Sequence, residues 1–479
     1  VSMNYEIFTA QKQNAWDSAD NQYFFQFSPI VNNQGSVLFR DCSGKEEQTI
    51  ELGVKDEEFK LRFLTEFPSI IADLVDLAVA IHVSDRLAPQ NLKQKNFLHV
   101  VLPVRQPEIF NSESFQTKLE DLLEWTTGSQ WVFHFQKRMD PERSVEHQSL
   151  FSAIPKGCEV GLWSGGLDAL AGVYTRLKKY PEKSFVLFGT GSNKMIHGRQ
   201  KKVAEKIKEL FPRRTHLFRL LILVNLSNSN KVKNKLFRAR GVVFTLLGSA
   251  CAYLMGEQVL NVYENGIGAI NLPYRPSAVG LDHSRSVHPL TLLMVSEMVS
   301  ELLGKEFRVK NPFLFWTKAQ MCEAMRLNKE KDLPLLTISC DRPHRRKAKA
   351  VQCGYCSSCL LRRQALAAAQ IEDKTDYVIL HEDCPPENRR DYFLNMREQI
   401  VTFRNLLQIW DTSSSPWEKL TREFPILDDI VDRSAKAEEL SPGQMRKYLI
   451  ELYKTYVREW ETFEPQLSSY SNEQLTMNN

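Results

Sequence analysis

Short apolar stretches of strand length fill the first part of the chain: 23–27, 37–40 and 49–52, with Asn-Asn-Gln-Gly at 32–35 as a turn. A helical pattern over 57–86, interrupted near Pro68, puts Ile71, Leu74, Leu77 and Ala78 on one face. A strand at 98–104, a helix at 112–125 and a strand at 131–135 complete this part, and the charged, apolar-poor 139–146 reads as a linker. From Gly157 the texture changes to strands at 159–163, 184–189, 215–224, 259–264 and 306–309, alternating with helices at 167–178, 199–211, 240–255, 286–303 and 318–326. That alternation predicts a parallel sheet with crossover helices. After about Thr375 the pattern is helical, over 392–410, 416–433 and 443–463, and the unpatterned 468–479 is expected to be disordered. The expected organisation is an N-terminal α+β accessory module (1–150), an α/β domain (151–375) and a helical C-terminal extension (376–479).

A chain of 479 residues is too long for one ordinary core. Its 43% hydrophobic and 25% charged residues suit a soluble globular protein; with no membrane-length apolar run and no signal peptide, a cytoplasmic location is the default expectation. The net charge of +4 does not mark a nucleic-acid binder, and the basic runs at 201–202, 231–240 and 342–349 read as solvated faces or loops. Asp73, Asp76, Asp85 and Arg86 read as ion pairs on a helix surface.

Candidate chemistry centres on Gly161 to Ala169, where a strand runs into Ser164-Gly165-Gly166 and then a helix marked by Leu170, Val173, Tyr174 and Leu177. Glycines without Cβ let backbone N–H groups face an anion, Ser164 adds a hydroxyl, and the helix N-terminus favours negative charge, so the turn predicts a phosphate cradle. It is neither a Walker loop nor a dinucleotide fingerprint. Ligands of open α/β sheets bind beyond the carboxyl ends of strands, which also brings in Thr190-Gly191-Ser192 and Glu264-Asn265-Gly266. Four of the nine cysteines, Cys340, Cys353, Cys356 and Cys359, lie within twenty residues. Four thiolates with short spacings can close a tetrahedral zinc site or hold an iron–sulfur cluster, while Cys158, Cys251 and Cys322 read as core residues.

The string SGGLDA resembles the SGGxDS signature of PP-loop ATP pyrophosphatases, with Ala169 where that signature has serine. Together with the cysteines, Arg240-Gly241-Val242-Val243-Phe244, Val262-Tyr263-Glu264-Asn265, Asn311-Pro312-Phe313 with Lys318-Ala319, and Arg362, it resembles the 7-cyano-7-deazaguanine synthase (QueC) family over roughly 160–367. The resemblance implies a PP-loop (adenine nucleotide alpha hydrolase-like) sheet, the cofactors ATP, Mg²⁺ and Zn²⁺, and 7-carboxy-7-deazaguanine as substrate. It implies ATP binding by Ser164, Gly165, Gly166, Leu167, Asp168, Ala169 and Gly191, with Ser164, Asp168, Lys318 and Arg240 in catalysis. Glu264 and Asn265 would bind the substrate, and Cys340, Cys353, Cys356 and Cys359 would bind the metal. The added N- and C-terminal parts look like those of the antiviral-defence branch, such as QatC of Qat systems. That likeness implies conjugation of the deazapurine to an amine of a partner protein, encoded nearby and docked on the N-terminal module. Nitrile synthesis from ammonia, a tRNA-modifying PP-loop enzyme and an inactive scaffold are the alternative readings.

Overall fold

A computed structural model describes residues 21–476 apart from 32, 43–46, 56–67, 90–94, 140–156, 192–193, 226–236, 275–283, 341–343, 347–348, 381–391 and 408–414. In chain order come β1 (Gln22–Phe27), β2 (Gln34–Asp41), β3 (Glu47–Lys55), α1 (Ser69–Leu87), β4 (Phe97–Val104), α2 (Pro107–Phe110), α3 (Glu113–Thr127) and β5 (Gln130–Lys137). There follow β6 (Glu159–Leu162), α4 (Leu167–Lys179), β7 (Phe185–Gly191), α5 (Lys194–Leu210), β8 (Thr215–Asn225), α6 (Arg240–Leu254), β9 (Val259–Asn261), α7 (Gly266–Ile270), α8 (Pro289–Leu303), β10 (Arg308–Lys310) and α9 (Lys318–Leu327). The chain ends with β11 (His344–Arg346), β12 (Lys349–Val351), α10 (Ser357–Ala368), α11 (Tyr392–Leu407), α12 (Pro416–Glu423), α13 (Ile426–Ser434) and α14 (Pro442–Thr476).

Ten of these strands form one sheet in the order β10-β9-β6-β7-β8-β3-β2-β1-β4-β5. Strands β10, β9, β6, β7 and β8 are mutually parallel, as the alternating pattern predicts. Side chains alternate between the two faces: Val160, Val186 and Phe188 enter one apolar cluster, Phe185 and Leu187 the other, so both faces are buried. The N-terminal strands continue the same sheet. Strand β3 lies antiparallel to β8, with Glu51 opposite Asn225 and Lys55 opposite Leu221. One apolar cluster accordingly contains Phe25, Val100 and Phe133 together with Val160, Phe218 and Leu246.

Helix α1 packs on α6, and α3 on α8. Covered on all sides, α1 buries its polar residues as well, which corrects the expectation of helix-surface ion pairs. Arg105 Nη1 lies 2.7 Å from Asp73 Oδ1 and 2.9 Å from Asp76 Oδ2, and Arg138 Nη1 lies 3.5 Å from Asp76 Oδ2, all buried. Asp85 accepts from the N–H of Ala239 at the start of α6. The helix begins after Pro68, as expected, while 57–67 and most of the expected linker lie outside the described residues.

The C-terminal helices form their own cluster, with Phe403, Leu420, Leu427, Tyr453 and Trp460 against Ile270, Leu290 and Leu360. The single helix expected over 416–433 is two helices, broken at Phe424-Pro425, where proline lacks an N–H and disfavours helix at the residue before it. The disordered tail expected from Ser468 is corrected as far as Thr476: α14 continues to that residue, each added residue gaining a hydrogen bond once a helix is nucleated. Among the described residues no helix is long and apolar enough to cross a membrane.

Candidate functional site

The phosphate turn stands where the sequence places it, between β6 and the N-terminus of α4. Gly165 has φ +72°, a left-handed conformation that disfavours any residue with a Cβ. The exposed Ser164 Oγ accepts from the N–H of Gly166, 3.1 Å away, and the Leu167 N–H donates to Ser339 Oγ at 3.4 Å. A reciprocal pair holds the turn from below: Trp163 Nε1 donates to the Gln200 carbonyl and Gln200 Nε2 to the Trp163 carbonyl, each at 2.9 Å. Ala169 is buried in an apolar cluster with Leu167, Leu170 and Val173. Gly191 ends β7, and Ser192 lies outside the described residues.

Beside the turn, three ionisable side chains meet. Asp168, in the first turn of α4, lies 2.7 Å from Lys318 Nζ through Oδ2, with the lysine 6% and the aspartate 12% exposed at the side chain. Asn265 Nδ2 donates to Asp168 Oδ1 at 2.9 Å and to Glu264 Oε1 at 2.8 Å, while its Oδ1 caps α7 by accepting from Gly268. Burial, and then the charge of Asp168, push the Glu264 carboxyl up to about 8 against the pull of Lys318. Burial acts to lower the Lys318 ammonium, but Asp168 and Glu264 outweigh it and raise the lysine above its ordinary value. The surroundings thus favour the neutral form of Glu264 and the charged form of Lys318.

Glu264 is positioned by its neighbours. The expected strand at 259–264 stops at Asn261, and Val262 donates to the carbonyl of Lys310. Asn311 then frames Glu264, donating from Nδ2 to its carbonyl at 2.8 Å and accepting from its N–H at 3.5 Å. Tyr263 enters a slot made by two glycines: a Cβ on Gly161 would lie 2.3 Å from the tyrosine ring, and one on Gly172 2.6 Å from Tyr263 Cβ. At the far end the phenol donates to Glu159 Oε1 at 2.9 Å, and Arg176 pairs with the same carboxylate.

Ser164, Gly165, Gly166, Leu167, Asp168, Glu264, Asn265 and Lys318 are therefore brought together. Arg240, at the start of α6, stacks its guanidinium 5.0 Å above the Phe244 ring and acts electrostatically on His82 of α1. Sequence reasoning missed Tyr263 as a wedge, Asn311 as a clamp, and Thr317, Ser339 and Glu459, which reach the site from three elements. The capping spacing of Thr317 and Gln320 was the one readable signal among them.

The four sulfur atoms of Cys340, Cys353, Cys356 and Cys359 all lie within 4.8 Å of one another. Cys340 Sγ is 4.0 Å from Cys356 Sγ, and Cys353 Sγ is 3.8 Å from Cys359 Sγ. A tetrahedron with zinc–sulfur bonds of about 2.3 Å has edges of roughly 3.8 Å, so the thiols fit a structural zinc ion. Buried Arg362, from α10, donates to Thr337 Oγ1 and the Pro334 carbonyl, both at 2.7 Å, fixing the segment that leads to Cys340. Through Ser339 that segment touches the phosphate turn.

Fold and site define an α/β protein with a four-cysteine metal module behind a glycine turn of the kind that receives phosphate. The comparisons narrow this. Residues 291–370 match the QueC family model, described as queuosine biosynthesis protein QueC. The chain is 28% identical over 141 residues to a 7-cyano-7-deazaguanine synthase of Saccharophagus degradans, covering 29% of this chain and 56% of that protein. It is 32% identical over 142 residues to the enzyme of that name from an Anaeromyxobacter species, covering 29% and 54%. The chain spans about half the length of the curated relatives it matches. The family-model match takes in the four cysteines and Lys318; the phosphate turn and Glu264 precede it.

Proposed function

We propose that the chain is an ATP-dependent carbon–nitrogen ligase that activates the carboxylate of 7-carboxy-7-deazaguanine. The observation that carries this reading is the buried Asp168–Lys318 pair, with Glu264 beside it, next to a phosphate turn in a chain whose cysteine segment matches QueC. A carboxylate is a poor electrophile because its leaving group would be oxide. Attack of its oxygen on the α-phosphorus of ATP forms a P–O bond, breaks the bond to the β-phosphate and releases pyrophosphate. Ser164 and the N–H groups at the start of α4 receive the pyrophosphate, and Lys318 offsets its charge. Asp168 is the carboxylate that would hold Mg²⁺, which would supply further positive charge to the polyphosphate. An amine then attacks the acyl carbon, expels AMP and loses a proton, leaving an amide.

Glu264 is the side chain for the guanine-like edge, since a carboxylate accepts from both N1–H and the 2-amino group. A neutral Glu264 must ionise to do this, so binding is coupled to proton release. In the finer reading the attacking amine belongs to a partner protein, docked through the N-terminal strands, in an antiviral system. The likeness of the added N- and C-terminal parts to that branch supports it. Incubation with ATP, Mg²⁺ and the deazapurine acid is expected to release pyrophosphate, and mass spectrometry of the co-encoded protein is expected to show the added deazapurine. Free nitrile with an unmodified partner would assign the chain to ammonia-dependent synthesis instead. No pyrophosphate release would reject the ligase reading.

A further inference from the structure

Lys318 occupies the first position of α9, a poor place for a buried ammonium, because the N-terminus of a helix carries the positive end of its dipole. Asp168 and Glu264 compensate on one side. On the other, the residue before it, Thr317, is the N-cap and is itself fully buried. Its Oγ accepts from the Gln320 N–H at 3.2 Å, and its own N–H donates to Gln320 Oε1 at 2.8 Å, a complete capping box. The hydroxyl proton of Thr317 remains to be placed, and it goes to Glu459 Oε1, 2.5 Å away on α14. The second oxygen of Glu459 accepts from Gln364 of the zinc-segment helix α10 at 3.3 Å.

Two further contacts bring the C-terminal helices to the same place. A Cβ on Gly266, directly after Asn265, would lie 2.7 Å from Leu452 of α14. Gln399 of α11 donates from Nε2 to the carbonyls of Leu272 and Pro273, at 3.0 and 2.9 Å, fixing the chain after α7. The C-terminal helices thus hold both segments that deliver Lys318 and Glu264.

We infer that Glu459 is a positioning residue: through the Thr317 hydroxyl it holds the first turn of α9 so that Lys318 stays directed at Asp168, making the C-terminal helices part of the catalytic scaffold. The inference rests on the proposed ligase reading for its meaning in catalysis, but its geometry can be tested without activity. The full-length protein is treated with N-hydroxysuccinimidyl acetate, and acetylation of each lysine is followed by peptide mass spectrometry. Lys318 in the wild type is expected to react slowly. In Glu459→Ala its labelling is expected to rise about 10-fold, as for loss of one hydrogen bond to a charged group, while exposed Lys201 is unchanged. Glu459→Gln, whose amide oxygen still accepts from Thr317, is expected to return Lys318 towards the wild-type rate. Glu459→Asp, which draws the carboxylate back by one methylene, is expected to give a smaller rise and serves if the alanine variant does not fold.

In pyrophosphate release, Glu459→Ala is expected to lower kcat by about 10-fold with the KM for the deazapurine acid unchanged. Unaltered Lys318 labelling in a folded Glu459→Ala protein, or in Glu459→Asp if the former does not fold, would overturn the inference. An inactive wild type would reject the ligase reading and leave the labelling to decide on Glu459.

Discussion

Asp168 and Lys318, 150 residues apart in the chain, meet at 2.7 Å with almost no solvent between them and the surrounding protein. Removing one partner of such a pair strands the other charge in a poorly hydrated place. Asp168→Ala is expected to cost stability at the low end of about 3–5 kcal/mol, because Glu264 can ionise and partly replace the lost carboxylate. Urea unfolding measures this, and pyrophosphate release is expected to fall to background. Asp168→Ala with Lys318→Met, which removes both charges, is expected to recover part of the stability and none of the activity.

Glu264 gives the pH dependence a definite direction. Its carboxyl stands near 8 in the folded protein against 4.5 when unperturbed. Between those values the folded chain keeps a proton that the unfolded chain releases, so this group lowers stability as pH rises through the window and contributes no slope below or above it. Glu264→Gln is expected to flatten that part of the urea-midpoint profile. Affinity for the deazapurine acid is expected to increase with pH across the same interval, with proton release visible by calorimetry in buffers of different ionisation heat.

The slot for Tyr263 gives a steric test. Gly172→Ala would place a methyl 2.6 Å from Tyr263 Cβ and 3.1 Å from the Phe313 ring. Overpacking of this kind costs about 1–3 kcal/mol. Because Tyr263 precedes Glu264, the variant is expected to raise the KM for the deazapurine acid as well. A Gly172→Ala protein with wild-type KM would show that the slot serves stability alone.

Metal analysis is expected to find one zinc ion per chain. Cys356→Ser is expected to lose it and to destabilise the protein by about 3 kcal/mol or more. Through the Ser339 contact with Leu167, hydrogen exchange is expected to quicken in peptides covering 164–170 as well as in those around the cysteines. Faster exchange confined to the cysteine segment would mean that the phosphate turn does not depend on the metal.

The parallel strands and the phosphate turn were legible because each is written in a local stretch: period-two apolar runs, a Ser-Gly-Gly turn, and apolar residues at helical spacing after it. The zinc thiols were legible for the same reason. The union of the N-terminal strands with β8 was not, because β3 shows the same alternation whichever strand it pairs with. Asp73 and Asp76 look like surface residues until α6 and the sheet are known to cover α1. Tyr263 resembles one more apolar strand residue, and its function depends on glycines about a hundred residues earlier. Glu459 lies on a helix rich in charged residues, and nothing nearby distinguishes it from solvated neighbours such as Arg458. Ala169, which stands where the PP-loop signature has serine, is an apolar core position here, and Ser339 is the hydroxyl that stands at the start of α4.

The β3–β8 ladder also bears on how the first 137 residues can be studied. Without them, β8, eleven residues long, would become an edge strand, its unpaired N–H and carbonyl groups ready to add a strand from another chain. The three buried side chains Phe218, Leu220 and Ile222 would make that pairing adhesive. A protein truncated before residue 157 is therefore expected to self-associate, and its failure to modify a partner would reflect lost solubility before it reflected a lost docking surface. Single substitutions on the exposed side of β2 and β5 are the cleaner way to ask what those strands recognise.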